Sequence, residues 1–203
     1  HSHMLAEEVF YRAGGLVPVK PILIESMMLH EGAMRSSQLE RKNDHAYPFM
    51  EKEDIRPNDI VFVISTSGRN PVPIDVAHYA KEQGAFVIGM TSVEYSKSQA
   101  SRHKSGQYLF NTVDHVIDTH VVIGDAILKH AKVKVLFAPI STVVGAAILN
   151  GVFAEAIRIM ADSDFEPPIF LSGNLEGADE HNKRLVEKYE KRIPLLTLNM
   201  KNV

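Results

Sequence analysis

The sequence predicts an α/β domain of three layers, in which a five-stranded parallel sheet with flavodoxin-like strand order lies between two layers of helices. Two observations support this fold class. Segments of strand length alternate along the chain with segments of helical spacing, which is typical of successive βα units. The predicted strands at 59–64 and 85–90 are almost continuously apolar, which indicates strands covered by helices on both faces. A third, shorter strand is predicted at 114–118.

The first part of the chain contains elements of both kinds. Apolar residues at helical spacing predict a helix over residues 4–13, which Gly14 ends. A strand is then expected over 16–24 and a second helix over 32–41.

The remaining elements complete the predicted sandwich. A helix is expected over 71–83, with Gly84 after its last turn. Residues 133–137 are predicted as a further strand, and residues 141–160 as a long helix buried in the core. An amphipathic helix over 179–191 ends the predicted fold.

The composition narrows the classes of function. The chain has 203 residues and a formal net charge of −3, so no overall positive field would attract nucleic acid. It contains no cysteine, which excludes thiolate metal sites and fits a reducing cytoplasm. The longest apolar segment, 143–160, is interrupted by Gly, Asn, Glu and Arg, unlike a membrane span of about 20 apolar residues. We expect a cytoplasmic protein with no cofactor or metal and with no nucleic-acid or membrane partner.

A serine-rich turn between a buried strand and a helix is the first candidate for a binding site. Backbone N–H groups at a helix N-terminus have no intrahelical acceptor, and the helix dipole favours an anion there. Ser65, Thr66 and Ser67 add three hydroxyl donors, Gly68 lets the backbone approach a ligand, and Asn70 is placed to cap the helix. The chemistry predicts a phosphate site; the alternative is a polar turn with a cap.

Two segments carry a resemblance to a known family. Val-Ile-Ser-Thr-Ser-Gly-Arg-Asn-Pro at 63–71, followed by Phe-Val-Ile-Gly-Met-Thr-Ser at 86–92, resembles the central motif of sugar isomerase (SIS) domains. That class includes phosphoheptose isomerases, arabinose-phosphate isomerases, the isomerase half of glucosamine-phosphate synthase and muramic-acid-phosphate etherases. In these proteins the Ser-x-Ser-Gly loop holds the sugar phosphate, and the resemblance implies the same role for the four residues from Ser65 to Gly68.

The start of the chain is similar to a second SIS motif. Residues 1–12 resemble the continuation of Gly-x-Gly-x-Ser, with Ser2 as its serine. This implies that the glycines, the first strand and any earlier helix precede His1. The Ala-Glu-Glu-x-x-x-Arg run is similar to one in phosphoheptose isomerases and implies a catalytic role for Glu8. The chain also resembles an uncharacterised bacterial SIS family to which phosphosugar isomerase activity is ascribed. This resemblance covers nearly the whole chain, 1–203, as a single domain, and its marks are Tyr11–Leu16, Glu31-Gly32, Arg35-Ser36, Pro139–Val143 and Asp179–Asn182.

Further candidates lie at the starts of two predicted helices. Glu180 and His181 follow a glycine-rich loop and are placed to act as an acid–base pair; the alternative is a solvated first turn. Ser141 and Thr142 open the long helix, where they would bind sugar hydroxyls or form an N-cap.

Two arginines and one histidine–glutamate pair complete the set of candidates. Arg12 and Arg69 would balance the phosphate charge, or would simply be solvated. His30 beside Glu31 is a second possible acid–base pair, although neighbours on a helix point in different directions.

The resemblance implies a specific activity. We expect a cofactor-free phosphosugar aldose–ketose isomerase, with Glu8 as the base and His181 as the group that opens the ring or shuttles a proton. SIS sites commonly lie at dimer interfaces, so we expect a homodimer or higher homo-oligomer in which His181 acts on the ligand of the neighbouring subunit. The alternatives are a non-catalytic sugar-phosphate sensor and an etherase or lyase of the muramic-acid-phosphate type.

Overall fold

A computed structural model describes residues 1–200, which form two compact units. One contains His3–Ile22 and the chain from Ala146 onward; the other contains Leu23–Gly145 together with Ser2. The strands are β1 Ile60–Ile64, β2 Phe86–Thr91, β3 His115–Asp118, β4 Ala126–His130 and β5 Val133–Pro139. The helices are α1 His3–Glu8, α2 Ala33–Leu39, α3 Tyr47–Met50, α4 Pro71–Glu82, α5 Val93–Lys97, α6 Leu109–Thr112, α7 Ser141–Asp162 and α8 Ala178–Tyr189.

A parallel sheet of order β1-β2-β3 forms the centre of the unit Leu23–Gly145. Val63 pairs with Gly89, and Gly89 pairs with Val116, so the three strands end at the same edge. The three strands predicted from apolar runs are therefore confirmed. Helix α4 covers this sheet and contributes to a buried apolar cluster. Its members are Val63, Ile74, Ala77, Ala80, Ala85, Val87 and Leu109.

The predicted five-stranded parallel sheet is wrong. Residues 133–137 do form a strand, but this strand, β5, pairs antiparallel with β4 in a separate hairpin, with Leu128 opposite Phe137. Apolar periodicity identifies a strand and not its partner, and only two residues separate β4 from β5, a spacing that favours a hairpin. Both strands of the hairpin leave apolar side chains exposed, Val135 at 71%.

The predicted strand over 16–24 is also wrong. Only Leu16 takes part in β-structure, through an isolated antiparallel bridge to Ile169. Pro18 and Pro21 have no N–H groups to donate to a strand ladder. The helix predicted over 4–13 is shorter than expected, because α1 ends at Glu8.

Helix α7 does not have the burial that its sequence suggested. Only 11% of its most apolar 18-residue window is buried, and Val143 is 72% exposed. The prediction of a buried helix is wrong, because apolar composition shows that a helix needs a covering surface without showing that the same chain provides it. The helix is long and apolar enough to cross a membrane by length and composition alone, a test that core helices of soluble proteins also pass.

Candidate phosphate-binding site

The loop formed by residues 65–70 connects β1 to α4 at the carboxyl edge of the parallel sheet. We call it the serine loop. Ser65 extends the sheet pairing, because its amide donates to the carbonyl of Met90 at 3.0 Å. The side chains of Ser65 and Asn70 are largely buried, whereas Thr66 and Ser67 are partly exposed.

Three carbonyl groups of the serine loop point into the protein. Each accepts a backbone hydrogen bond of 2.8–2.9 Å from the surrounding loops. The carbonyl of Thr66 accepts from the amide of Ser92, the carbonyl of Gly68 accepts from the amide of Leu109, and the carbonyl of Arg69 accepts from the amide of Arg102. These bonds fix the orientation of three peptide planes.

The peptide geometry of the serine loop sets the direction of its amides. Every peptide bond among the described residues is trans, so an N–H points opposite to the carbonyl in the same peptide plane. The inward carbonyls therefore turn the amides of Ser67, Arg69 and Asn70 outward. Within residues 1–200, none of the five amides from Thr66 to Asn70 has an intramolecular acceptor. The hydroxyls at positions 65–67 likewise have no hydrogen-bond partner in the described chain.

A glycine is required at position 68 because a side chain there would collide with the protein interior. The φ of Gly68 is +54°, and a Cβ atom there would lie 2.6 Å from Thr91 Oγ1 and 2.9 Å from Ser96 Oγ. Both hydroxyls belong to fully buried residues. The sequence assigned this glycine to close approach by a ligand, but the observed contacts are with the β2–α5 segment.

The first turn of α4 does not supply the amides that the sequence suggested. Pro71 and Pro73 have no N–H, and the amide of Val72 donates to Glu40 O at 3.3 Å. Asn70 occupies the N-cap position, but its side chain makes no capping bond. The capping role predicted for the Asn70 side chain is wrong, because the N2 amide is engaged and N3 is a proline. The amides without an internal acceptor in this region are therefore those of the loop.

Glu8 lies in the other unit and makes two contacts. Its Oε2 accepts from Arg12 Nη1 at 3.2 Å, and its Oε1 accepts from Asn150 Nδ2 at 3.2 Å. Arg12 is thus paired with a carboxylate. Asn150 was not singled out by the sequence, since its link to Glu8 spans 142 positions.

His181 and Glu180 lie in the first turn of α8, after Gly177 in the left-handed conformation. The His181 Nε2 hydrogen bonds to the Ile169 carbonyl at 2.9 Å, so this nitrogen carries the proton as donor. Glu180 is exposed. Within the described residues, no hydrogen bond joins His181 to Glu8.

The start of α7 is capped by an aspartate. Asp125 Oδ2 accepts from the Ser141 hydroxyl at 2.6 Å, and Asp125 Oδ1 accepts from the Ser141 amide at 2.8 Å. Thr142 is half-buried beside it. Ser2, also half-buried, belongs to the unit that contains the serine loop.

A candidate metal-binding group lies in the same unit. The ligand atoms of Glu25, His30 and Glu31 all lie within 4.8 Å of one another, and the three side chains are exposed. His30 Nε2 is 3.2 Å from Glu25 Oε1 and 3.9 Å from Glu31 Oε1. Exposed acidic groups of this kind are common without a metal.

A buried polar pair supports the serine loop. His103 Nε2 lies 3.0 Å from Asp75 Oδ1, with both side chains at 4% exposure or less. His103 Nδ1 accepts from the Ser105 amide at 3.2 Å, so Nε2 is the donor to the carboxylate. Asp75 Oδ2 also accepts from the Asp44 amide at 2.8 Å. The pair joins α4 to the segment that contains Arg102, and no local pattern predicts it because 28 positions separate the partners.

The fold and the loop identify the class of protein. The family model of the SIS domain matches residues 1–92, which include β1 and the complete serine loop. The chain therefore contains the SIS motif that its sequence resembled.

Full-length comparisons identify the family. The chain is 68% identical over 199 residues to the UPF0309 protein of Halalkalibacterium halodurans, with 98% of this chain and 80% of that protein covered. It is 70% identical over 196 residues to the UPF0309 protein of Geobacillus kaustophilus, with 97% of this chain and 78% of that protein covered. It is 48% identical over 195 residues to the UPF0309 protein of Thermoanaerobacter pseudethanolicus, with 95% of this chain and 79% of that protein covered. The chain belongs to the UPF0309 family of bacterial proteins.

Proposed function

We propose that the chain binds a phosphorylated sugar through the serine loop. The observation that carries this proposal is the row of outward amides and hydroxyls without intramolecular acceptors in the described residues. Several unengaged donors in one short loop favour an acceptor with several oxygens and negative charge, and a phosphate ester provides both. The SIS motif at this loop supports a sugar as the rest of the ligand.

We further propose that the reaction is a cofactor-free aldose–ketose isomerisation. This reaction removes a proton from the carbon beside the carbonyl and moves another between two oxygens. Glu8 is proposed as the base, with His181 and Glu180 as the candidates for ring opening and proton transfer. The bond from Asn150 to Glu8 Oε1 would orient the carboxylate. Ser2, Ser141 and Thr142 are proposed as donors to the sugar.

A sensor without turnover is the second candidate, and one observation favours it. Both carboxylate oxygens of Glu8 already accept hydrogen bonds, from Arg12 and Asn150. A carboxylate that acts as a base must give up some of this stabilisation when it takes a proton. The two hydrogen bonds therefore suit a carboxylate with a structural role, as a sensor without turnover would have.

Binding is tested with the double variant Ser65→Ala/Ser67→Ala. Titration calorimetry with a panel of aldose and ketose phosphates should show saturable binding by the parent chain. The loss of two hydroxyl donors to a charged group should weaken the affinity about 100- to 10,000-fold. Ser163→Ala is the matched control, because its exposed hydroxyl donates only to Ile159 O. Equal affinity in the double variant and the control would refute the site.

Turnover is tested by incubation with the same panel in deuterated water. Deuterium at the carbon next to the carbonyl, detected by NMR, would establish proton abstraction, and Glu8→Gln should abolish it while phosphate binding persists. Saturable binding without exchange or product would support the sensor. Release of a substituent in place of isomerisation would indicate etherase or lyase chemistry.

The cellular setting and assembly are also proposals. The absence of cysteine from the sequence and the bacterial origin of the relatives support a cytoplasmic location. A homodimer or higher homo-oligomer would cover the exposed apolar side chains of β4 and β5. We also propose that residues 1–203 act as one SIS domain that needs no cofactor.

A further inference from the structure

Two arginines are held at the end of the serine loop. Arg69 Nε donates to the carbonyl of Ala100 at 2.9 Å, and Arg102 Nη1 donates to Asn70 Oδ1 at 2.9 Å. The amide of Arg102 also donates to the carbonyl of Arg69 at 2.9 Å. The backbone and side chain of Arg102 are therefore both tied to the loop proposed to bind phosphate.

A third arginine lies near these two. The bond from the Val72 amide to the Glu40 carbonyl brings the end of α2 to the start of α4, and Arg41 is the next residue. Burial, together with the positive charges of Arg69 and Arg41, lowers the pKa of Arg102, which means that the three charges lie within electrostatic range. We call Arg41, Arg69 and Arg102 the arginine cluster.

The cluster lacks a matching partner in the described chain. Within residues 1–200, none of its members forms an ion pair with a carboxylate. Glu40 and Tyr95 raise the pKa of Arg102, but more weakly than the two arginines lower it. Each guanidinium has five N–H donors, and the bonds to Ala100 and Asn70 use one each. The remaining donors suit a planar carboxylate or a phosphate.

The loop amides and hydroxyls are sufficient for one phosphate, so the cluster is available for another group. We propose that the arginine cluster binds a second anionic group of the same ligand, a carboxylate or a second phosphate. The preferred substrates are then phosphosugars with two anionic groups. This inference rests on the proposed function, because the serine loop must hold the first phosphate.

The test compares ligands that share a phosphate and differ in the second group. Titration calorimetry on the full chain uses fructose 6-phosphate, fructose 1,6-bisphosphate and 6-phosphogluconate, with inorganic phosphate as a probe of the loop alone. We expect the parent to bind at least one doubly anionic ligand about tenfold more tightly than fructose 6-phosphate. The ligand that shows this preference identifies the second group as phosphate or carboxylate.

The double variant Arg69→Gln/Arg102→Gln should remove the preference, so that the doubly anionic ligand loses about tenfold more affinity than fructose 6-phosphate does. Arg56→Gln is the matched control, since Arg56 is an exposed arginine already paired with Asp54. Circular dichroism checks that each variant is folded.

Two outcomes would overturn the inference while leaving phosphate binding intact. One is a parent chain that binds all three sugars equally. The other is a double variant that loses affinity for the singly and doubly anionic ligands alike, which would assign the arginines to the first phosphate. If neither inorganic phosphate nor any of the sugars binds the parent chain, the proposed function fails, and the inference fails with it.

Discussion

Replacement of Gly68 by alanine tests whether the serine loop is held by its interior contacts. The new Cβ atom would lie 2.6 Å from Thr91 Oγ1 and 2.9 Å from Ser96 Oγ, compared with 3.4 Å or more in ordinary contact. The two hydroxyls cannot move freely. They are 3.3 Å apart, and the Ser96 hydroxyl donates to Ser92 O at 2.8 Å.

The expected cost follows from three contributions. A non-glycine residue at a φ of +54° costs about 1 kcal/mol. Overpacking of a rigid site adds about 1–3 kcal/mol, and a disrupted buried hydrogen bond adds about 1 kcal/mol. Gly68→Ala should therefore lower the free energy of unfolding by about 3–5 kcal/mol and the melting temperature by roughly 10 °C.

Urea unfolding followed by far-UV circular dichroism measures this effect. Gly106→Ala is the matched control, because Gly106 has a φ of +73° and a Cβ atom added there would have nothing within 4 Å. It should cost only the backbone contribution of about 1 kcal/mol. If the two variants differ by less than about 1 kcal/mol, the packing argument for Gly68 is refuted.

Two further predictions concern polar side-chain pairs in the unit that contains the serine loop. Lys81, 2.8 Å from Asp114 Oδ1, and then the Val87 amide lower the pKa of Asp114. The resulting gain in folding stability is complete above about pH 3.9, the pKa of an aspartate in the unfolded chain. It is lost as the pH falls through the lower pKa that Asp114 has in the folded chain. Asp114→Asn should cost about 1 kcal/mol in urea unfolding at pH 7 and progressively less below about pH 4; a difference independent of pH would contradict this. His103→Ala leaves Asp75 buried without its partner and should cost about 3 kcal/mol by the same measurement, whereas a loss under about 1 kcal/mol would show that the pair contributes little.

The sequence predicted the part of the fold that local patterns determine. The strands β1, β2 and β3 and helix α4 follow from continuous apolar runs, turn residues and glycine stops. Strand partners were not predictable in the same way. The apolar pattern of residues 133–137 is the same in either pairing. Strand β4 lacks an apolar run of strand length, because Lys129 and His130 follow only three apolar residues.

The place of the serine loop between β1 and α4 was predictable from the sequence, but the arrangement of its donors was not. The Ser-Thr-Ser-Gly motif indicated the location of the serine loop. The orientation of its peptides depends on hydrogen bonds from three distant segments, which no local pattern encodes. Arg102 and Asn70 lie 32 positions apart, so their contact could not be predicted either. The prolines at 71 and 73 were visible in the sequence, and they exclude amide donation from two positions of the first helical turn.

The inward hydrogen bonds of the serine loop bear on the entropy of ligand binding. Because the hydrogen bonds to Ser92, Leu109 and Arg102 form when the chain folds, the loop has already lost its conformational entropy before any ligand arrives. Association then requires little further ordering of the backbone, and more of the contact energy is retained as affinity. The empty and occupied loops should superimpose closely, with adjustment confined to side-chain rotamers.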